Sequence, residues 1–394
     1  TRRPSDLDDT ESIIHAIKYG DGQLECKRGE YVITKTIEID LSTTGRIGID
    51  GSNGTAKFIM KGAGPAFRII GTHKGSAHPR TVKGEVWKNE RHPIISNIEI
   101  EGAHPEADGI EITGVFQPRL DGVLLHKVRH GVILTGVNRN VIISNCNIYH
   151  NTGIGIFCTK LNLHQINIIG NHISYNRIGG IRIEDTEIRN LQITGNDIEY
   201  NNHKSHGTEP EATAEIYIDA SKPKCTVAEV TIASNTIQAT ISPGGSNIRI
   251  IGPKNTMGKT NWDKYPPCLY SITGNIISSQ EINVHLTGCN GLAFSGNSIA
   301  APGKYNVLCE DTCKVTFSGE NFRPHWKERS SALKFTECED IIINGCYLTG
   351  IDENLNLDGV ELLEVSKSNR VTIGNSQIIG QSPHGVSISD SSMV

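Results

Sequence analysis

The sequence predicts an all-β fold, a right-handed parallel β-helix whose short strands form stacked coils behind an N-terminal capping helix. Three observations predict it: a motif that returns about every 22 to 26 residues, a composition that includes 41 glycines, and an aromatic content of 5%. Many short strands joined by small-residue corners have such a composition. We expect residues 1–91 to form the cap and first coils, and residues 92–394 to form the other coils of one continuous domain.

The recurring motif is a short strand, then Gly-Asn or Ser-Asn, then a second strand. It reads IISNCNI, IIGNHI, ITGNDI, IASNTI, ITGNII and FSGNSI at successive positions along the chain. Three short strands with their turns fill a period of this length, and stacked coils lie about 4.8 Å apart. Equivalent side chains of successive coils should then form a column in which each amide bonds the next. We expect that column to contain Asn145, Asn171, Asn196, Asn235, Asn275 and Asn297.

The cysteines show a similar spacing. Cys289, Cys313 and Cys338 follow one another at steps of 24 and 25 residues, so a second column of small buried side chains is expected there. The chain has ten cysteines, but neither a CxxC pair nor a cysteine and histidine cluster with zinc spacing. We therefore expect free, buried thiols.

The N-terminal residues suggest how the first coil is closed. Asp8 to Glu11 precede a short amphipathic stretch that ends near Tyr19, and Gly29-Glu30-Tyr31 follows before the next strand. A helix at this end would cover the unpaired edge and the apolar interior of the first coil.

This arrangement resembles the pectate lyase-like superfamily, whose members often begin with an Asp-Thr helix, a strand and a Gly-x-Tyr phrase before the first coils. The resemblance covers nearly the whole chain as architecture. It implies a right-handed β-helix, usually extracellular, that acts on polysaccharides as a lyase, hydrolase or epimerase. A secreted or periplasmic location is therefore expected, although no leader is visible in this chain. The catalytic phrases of polygalacturonases and mannuronan epimerases are missing, so the resemblance does not choose the reaction.

The charge balance excludes some partners. The formal net charge is −5, and the basic residues form no cluster of the kind that binds nucleic acid or an anionic membrane. No apolar run is long enough to span a bilayer. The expected partner is a polysaccharide or oligosaccharide, and the oligomeric state is left open.

Alternation within the second strand of each coil predicts the exposed groove. Ile181, Ile183, Ile216 and Ile218 should point inward, so the residues on either side of them, Glu215 included, should point outward. The same alternation in a later coil places Asn283 and His285 on the outside. Two long loops, His203–Thr213 and Pro253–Tyr265, should emerge beside this surface, and the second adds the flat ring of Trp262. The predicted site contains Arg182, Glu184, Tyr217, Asp219, Arg249, His285 and Trp262.

The first functional interpretation is a glycoside hydrolase. Glycosidic hydrolysis needs one carboxylic acid to protonate the leaving oxygen and one carboxylate to activate water or attack. Glu184 and Asp219 would be this pair, and their mutual repulsion would raise the pKa of one of them. Arg182 and the other site residues would bind substrate, and no cofactor would be needed. A structural interpretation competes with this one, because Arg182 beside Glu184 or Asp219 could be a surface ion pair.

Two alternatives remain open. A polysaccharide lyase acting on a uronic-acid polymer would use Arg182 and Arg249 to neutralise the substrate carboxylate and Tyr217 or His285 as the base. Glu184 and Asp219 would then be candidate calcium ligands, because Ca²⁺ prefers clustered carboxylate oxygens. The other alternative is a non-catalytic, glycan-binding or adhesive β-helix.

Overall fold

The computed structural model describes residues 8–76, 78–201, 213–253, 268–324, 332–350, 361–379 and 385–394. The chain divides into two compact units, Thr1–Gln192 and Ile193–Val394. In each unit, short strands pair in parallel with the equivalent strands of the next coil, so the predicted all-β solenoid is confirmed. The predicted domain limits at residues 91 and 92 stay a prediction. No described helix is long and apolar enough to cross a membrane.

Few of the described residues are helical. The chain forms α1 (Thr10–Tyr19), α2 (Leu41–Thr44), a 3-10 helix (Pro79–Thr81) and α3 (Gly84–Asn89). Helix α1 is the predicted N-terminal helix. It buries Ile13 and Ile17, and Asp9, just before it, accepts a hydrogen bond from the Val32 amide at 3.1 Å. This bond ties α1 to the second strand of the chain.

The first unit has three parallel columns of strands. One column is β1–β4–β7–β10, a second is β2–β5–β8–β11–β13–β15, and a third is β3–β6–β9, which continues into β12 and β14. The strands are β1 (Gln23–Glu25), β2 (Gly29–Ile33), β3 (Ile37–Asp40), β4 (Gly48–Asp50), β5 (Ala56–Met60), β6 (Gly64–Ile70), β7 (Ile94–Ser96), β8 (Ile98–Gly102), β9 (Ala107–Thr113), β10 (Arg119–Asp121), β11 (Leu124–His126), β12 (Val132–Ser144), β13 (Asn147–Tyr149), β14 (Ile154–Ile169), β15 (His172–Ser174) and β16 (Gly179–Thr194).

The second unit repeats the pattern. Its columns are β17–β20–β23–β26–β29–β32–β35, β18–β21–β24–β27–β30–β33–β36 and β19–β22–β25–β28–β31–β34. The strands are β17 (Asp197–Glu199), β18 (Ala214–Asp219), β19 (Thr226–Ala233), β20 (Thr236–Gln238), β21 (Ser246–Ile251), β22 (Tyr270–Thr273), β23 (Ile276–Ser278), β24 (Ile282–Thr287), β25 (Asn290–Ser295), β26 (Ser298–Ala300), β27 (Tyr305–Glu310), β28 (Cys313–Ser318), β29 (Asn321–Arg323), β30 (Ala332–Thr336), β31 (Glu339–Asn344), β32 (Tyr347–Thr349), β33 (Leu363–Ser366), β34 (Asn369–Gly374), β35 (Gln377–Ile379) and β36 (Val386–Ser389).

The predicted asparagine column is confirmed in the second unit. The backbone amide and Nδ2 of Asn196 both donate to Oδ1 of Asn235, at 2.9 and 3.0 Å. Asn235 bonds Asn275 in the same way, and Asn275 bonds Asn297. Each asparagine side chain thus accepts a hydrogen bond from the backbone N–H at the corner of the preceding coil.

In the first unit the column was predicted correctly for Asn171 and wrongly for Asn145. Asn171 is buried, and its Oδ1 accepts from the Cys146 amide at 2.9 Å. Asn145 lies one residue outside the column, is exposed and has a φ of 55°. The left-handed corner there is occupied in the next coil by Gly170, with a φ of 66°. Asparagine tolerates this conformation better than other L-residues, which explains why Asn145 can replace glycine.

The predicted cysteine column is right for Cys289 and Cys338 and wrong by one residue for Cys313, because Thr312 lies between the other two. Cys289 donates its amide to Oγ1 of Thr312 at 3.3 Å, so Thr312 is its neighbour. Cys313 instead pairs in register with Asn290 and is only partly buried. The Thr312 hydroxyl donates to the Glu310 carbonyl at 2.8 Å. All ten cysteines are free, as predicted.

The sequence correctly predicted which side chains point into the coil in the strand interiors, but the prediction was wrong at the first residues of some strands. Ile183 and Ile218 are fully buried, as expected. Glu215 and Asn283, which the alternation placed on the outside, are fully buried as well. Their polar groups bond other buried side chains instead of water, and this overrides the alternation where a strand leaves its corner.

Candidate functional site

Three predicted site residues lie side by side on the outer face of the second unit. Tyr217 on β18 is in register with Arg249 on β21, and Arg249 is in register with His285 on β24. Neighbouring strands are about 4.8 Å apart, so the three side chains form a continuous row. Each lies between two inward-facing apolar residues, which is why each points outward. The row supplies a phenol, a guanidinium and an imidazole to one surface.

His285 is held by a carboxylate. Its Nε2 lies 2.8 Å from Oε2 of Glu310 on β27. An ionised carboxylate only accepts, so Nε2 carries the hydrogen and the lone pair of a neutral ring is on Nδ1. Burial lowers the pKa of His285 below 6.5, and Arg249 lowers it further, whereas Glu310 opposes the shift. At neutral pH the imidazole is therefore a neutral base with a fixed tautomer.

Arg249 has a different kind of partner. Its Nη1 donates to the carbonyl oxygens of Ile250 and His285, each at 3.2 Å. Within the part of the chain that the structure describes, no carboxylate lies within ion-pair distance of this guanidinium. Burial lowers the pKa of Arg249, but an arginine side chain remains a cation in proteins. The site therefore presents a positive charge that forms no ion pair with a carboxylate among the described residues.

Tyr217 and Asp219 occupy the end of the row. The Tyr217 hydroxyl lies 3.5 Å from Oδ2 of Asp219. The other oxygen, Oδ1, accepts from the Ser221 amide at 2.8 Å and from its hydroxyl at 2.6 Å. Asp219 thus fixes the turn after β18 with one oxygen and faces the phenol with the other.

In the first unit, Arg182 and Glu184 form the ion pair that the sequence left as an alternative. Nε and Nη2 of Arg182 lie 3.0 and 2.9 Å from Oε2 of Glu184. Glu184 belongs to the first unit and Asp219 to the second, so their pairing stays a prediction. Trp262 and most of both long loops lie outside the described residues.

Sequence reasoning left two residues out of the predicted site. Glu310 follows from the same alternation that places Asp219 and Thr287 on the outside, and its carboxylate was the signal that could have added it to the site. His130 offered no periodic signal, since it precedes a strand. Its Nδ1 accepts from the Ile154 amide at 3.1 Å, and its ring lies 5.3 Å from that of Phe157. Burial lowers the pKa of His130, the charge of Asp108 opposes this shift, and the charges of Arg129 and Arg182 add to it.

One group of metal-type ligands occurs in the first unit. Ligand atoms of Glu99, Glu101 and His126 lie within 4.8 Å of one another. Lys57 forms an ion pair with Glu101 and lies 3.7 Å from Glu99, and Lys127 lies 2.9 Å from Glu101. These ammonium groups already supply the positive charge, and they lower the pKa of Glu101 to about 2. The group is an ion-pair network.

Comparison with known proteins identifies the fold. Residues 81–237 match the family described as right handed beta helix region. The Dettilon tailspike protein is similar in structure, with a TM-score of 0.52 and 13% identity over 93% of this chain and 65% of the tailspike. The enzymatically active domain of bacteriophage CBA120 tailspike protein 2 gives 0.51 and 11% over 98% of this chain and 50% of its own.

A mannuronan C-5 epimerase A-module from Azotobacter vinelandii aligns with a TM-score of 0.49 and 12% identity over 97% of this chain and 96% of the module. No curated protein matches the chain. The chain spans less than two thirds of either tailspike structure, and at these identities the likeness concerns the fold. The chain therefore has the right-handed parallel β-helix fold that its repeat predicts.

Proposed function

We propose that this protein is a carbohydrate-active enzyme that cleaves an acidic polysaccharide by β-elimination, at the row formed by Tyr217, Arg249 and His285. One observation carries the proposal: a guanidinium without a carboxylate partner among the described residues lies beside an imidazole that a carboxylate orients. A substrate carboxylate is the complementary ligand for Arg249, because a guanidinium binds carboxylates through paired hydrogen bonds. The domain of bacteriophage CBA120 tailspike protein 2 that shares this fold is the enzymatically active domain of that protein, which supports an enzyme over a non-catalytic glycan-binding protein.

The residues have distinct roles in this reaction. Arg249 binds the uronate carboxylate and stabilises the negative charge that develops when the adjacent carbon loses its proton. Nδ1 of His285 takes that proton, and Glu310 holds the ring through Nε2. The electron pair of the broken C–H bond forms the new C=C bond, and the bond to the leaving sugar oxygen breaks. Tyr217 supplies a proton to that oxygen.

A calcium-dependent reaction would need carboxylates that are available to bind the ion. Calcium would use Glu184 and Asp219, but Arg182 already neutralises Glu184. We therefore expect activity to survive chelation.

Hydrolysis would need a pair of carboxylates at a suitable separation. Within the second unit, Asp219 and Glu310 are three strand spacings apart, about 14 Å. Catalytic carboxylates are at most about 9.5 Å apart, so the hydrolase proposal rests on Glu184 with Asp219.

The test is a panel of neutral and uronic-acid polysaccharides with two readouts, ultraviolet absorbance of an unsaturated product and new reducing ends. The lyase proposal predicts both signals together, on uronic-acid polymers and with or without a chelator. Reducing ends without absorbance would establish a hydrolase, and Glu184→Gln or Asp219→Asn should then lower turnover at least about 10²-fold. Binding without either signal would overturn the enzyme proposal.

A further inference from the structure

A second polar ladder runs through the interior of the second unit, at the starts of successive strands. Asn247 on β21, Asn283 on β24 and Asn306 on β27 are fully buried. Nδ2 of Asn247 donates to Oδ1 of Asn283 at 2.8 Å, and Nδ2 of Asn283 donates to Oδ1 of Asn306 at 2.8 Å. Each amide also donates to a backbone carbonyl: Asn247 to Ser278 at 2.7 Å, Asn283 to Ala300 at 2.7 Å and Asn306 to Arg323 at 3.0 Å. Each rung thus donates to the next coil and should accept from the previous one.

Glu215 occupies the rung before Asn247. It precedes Ile216, which is in register with Ile248, so Glu215 lies opposite Asn247. The carboxyl group is fully buried, and its Oε2 accepts from the amide and from Nδ2 of Asn201, at 3.2 and 2.5 Å. Its other oxygen, Oε1, is buried without a partner. Oδ1 of Asn247, the atom that should accept from this rung, is also buried without a partner.

These two unsatisfied atoms have one simple explanation. An ionised carboxylate has only acceptors, so Oε1 and the Asn247 oxygen could not bond each other. Each of two buried acceptors without partners would lose the hydrogen bond that water gives it in the unfolded chain, which destabilises the fold. A hydrogen on Oε1 satisfies both atoms and gives Glu215 the same donor and acceptor pattern as the asparagines that follow it.

The surroundings of Glu215 contain no compensating cation among the described residues. Asn201 after β17, Asn247 on β21 and Asn283 on β24 present neutral amides. The charged group that acts on Glu215 is Glu199 on β17, which is negative. Burial raises the pKa of Glu215 well above 4.5, Glu199 adds to this, and the bonds from Asn201 oppose it.

We propose that Glu215 carries a proton and links Asn201 to the interior asparagine ladder, and that this pH-dependent link stabilises β18, the strand that presents Tyr217 and Asp219. The link is complete while the protonated Oε1 donates a hydrogen bond to Oδ1 of Asn247. Loss of the proton breaks that hydrogen bond and places a carboxylate against the Asn247 oxygen.

The direction of the pH effect follows from linkage. The pKa of Glu215 is higher in the folded chain than its ordinary value of 4.5. Its contribution to stability is therefore fully present below about pH 4.5 and is lost as the pH rises through the folded pKa. The second unit should become less stable toward alkaline pH for this reason.

Glu320 provides a matched control within the same unit. It is also buried and also follows an asparagine column, but both of its oxygens are acceptors. The Asn297 amide donates to Oε2 at 3.2 Å, and Nδ2 of Asn297 donates to Oε1 at 3.3 Å. Burial raises the pKa of Glu320 to about 7, so above neutral pH it is mainly a carboxylate.

The test compares Glu215→Gln, Glu215→Met and Glu320→Gln by thermal unfolding across pH. Glutamine at 215 keeps the shape and supplies the donor permanently, so at about pH 8 its Tm should exceed that of the wild type by about 2 °C or more and should vary less with pH. Methionine at 215 removes donor and acceptor and should lower Tm. Glutamine at 320 places an amide hydrogen against the Asn297 donors and should lower Tm at the same pH.

Infrared spectroscopy tests the proton directly on the folded wild type. The carbonyl stretch of a protonated carboxylic acid should be present at about pH 8, absent in Glu215→Gln and retained in Glu320→Gln. The proposal is overturned if that band does not change in Glu215→Gln. It is also overturned if both glutamine variants raise Tm equally, because any buried carboxylate would then explain the gain.

Discussion

Two outward arginines, one in each unit, have opposite kinds of cross-strand neighbour. On the first unit, Arg68 lies in register between Glu38 and Glu111, and its guanidinium is 2.7 and 2.8 Å from their carboxylates. On the second unit, Arg249 lies in register between Tyr217 and His285 and donates to backbone carbonyls. The strand geometry is the same, and only the residues one strand away differ.

This difference distinguishes a charged side chain that is paired with a cross-strand neighbour from one that remains available to bind a ligand. Cross-strand neighbours of opposite sign satisfy each other, and an exposed ion pair of this kind contributes about 0–1 kcal/mol to stability. A guanidinium whose cross-strand neighbours are a phenol and an imidazole keeps its attraction for an external anion. The outward alternation alone therefore does not identify a site; the cross-strand partner of each charge does.

The largest expected effect is on catalysis. Replacing His285 by Ala removes the proposed base, so turnover on the substrate found in the polysaccharide panel should fall about 10²–10⁴-fold. Replacing Arg249 by Met should have an effect of the same order. Arg68→Met on the first unit is the matched control and should leave the initial rate within about twofold. Equal losses in the variants at 249 and 68 would refute the distinction between the two faces.

The next effect is on stability and should be equal in the two units. Ile183 and Ile218 are both fully buried, so truncation of either to Ala should lower the free energy of unfolding by about 2–5 kcal/mol. Arg182→Ala and Tyr217→Ala change outward side chains and should cost much less. Denaturant unfolding measures all four variants, and the reverse order would show that the inward phase is wrong.

A smaller effect is expected on the pH profile of the enzyme. His285 must be neutral to act as a base, so activity should fall as the pH decreases through its pKa, which lies below 6.5. Glu310 raises that pKa, so Glu310→Gln should move the acidic limb to lower pH and reduce kcat about tenfold through poorer ring orientation. An unchanged limb in Glu310→Gln would exclude His285 as the titrating group.

The smallest effect is expected from the ion pairs of the first unit. Arg68→Ala should lower the free energy of unfolding by about 0–1 kcal/mol, and by less at high salt, because the guanidinium and its partners are partly exposed. A loss well above this range would show that the network stabilises the coils more than a surface ion pair can.

The sequence by itself determined the fold and, for most strand residues, which side chains point into the coil. The period fixed the coils, and the apolar residues of strand interiors fixed which side chains point inward, including Ile183 and Ile218. The column from Asn196 to Asn297 followed from the same period. These features depend on distances along the chain, so a pattern in the sequence is sufficient to predict them.

Tertiary structure decided the corners and the partners. The predicted positions of Asn145 and Cys313 were each wrong by one residue. Asn145 takes the left-handed position just before the column residue, and Cys313 comes just after the column residue Thr312. Glu215 turned inward because a buried hydrogen-bond partner outweighs alternation at a strand start. The pairing of His285 with Glu310 and of Arg182 with Glu184 depended on side-chain reach within and between strands. Such choices are made by hydrogen bonds between residues that the coil brings together, and the linear pattern offers these pairs as alternatives without deciding among them.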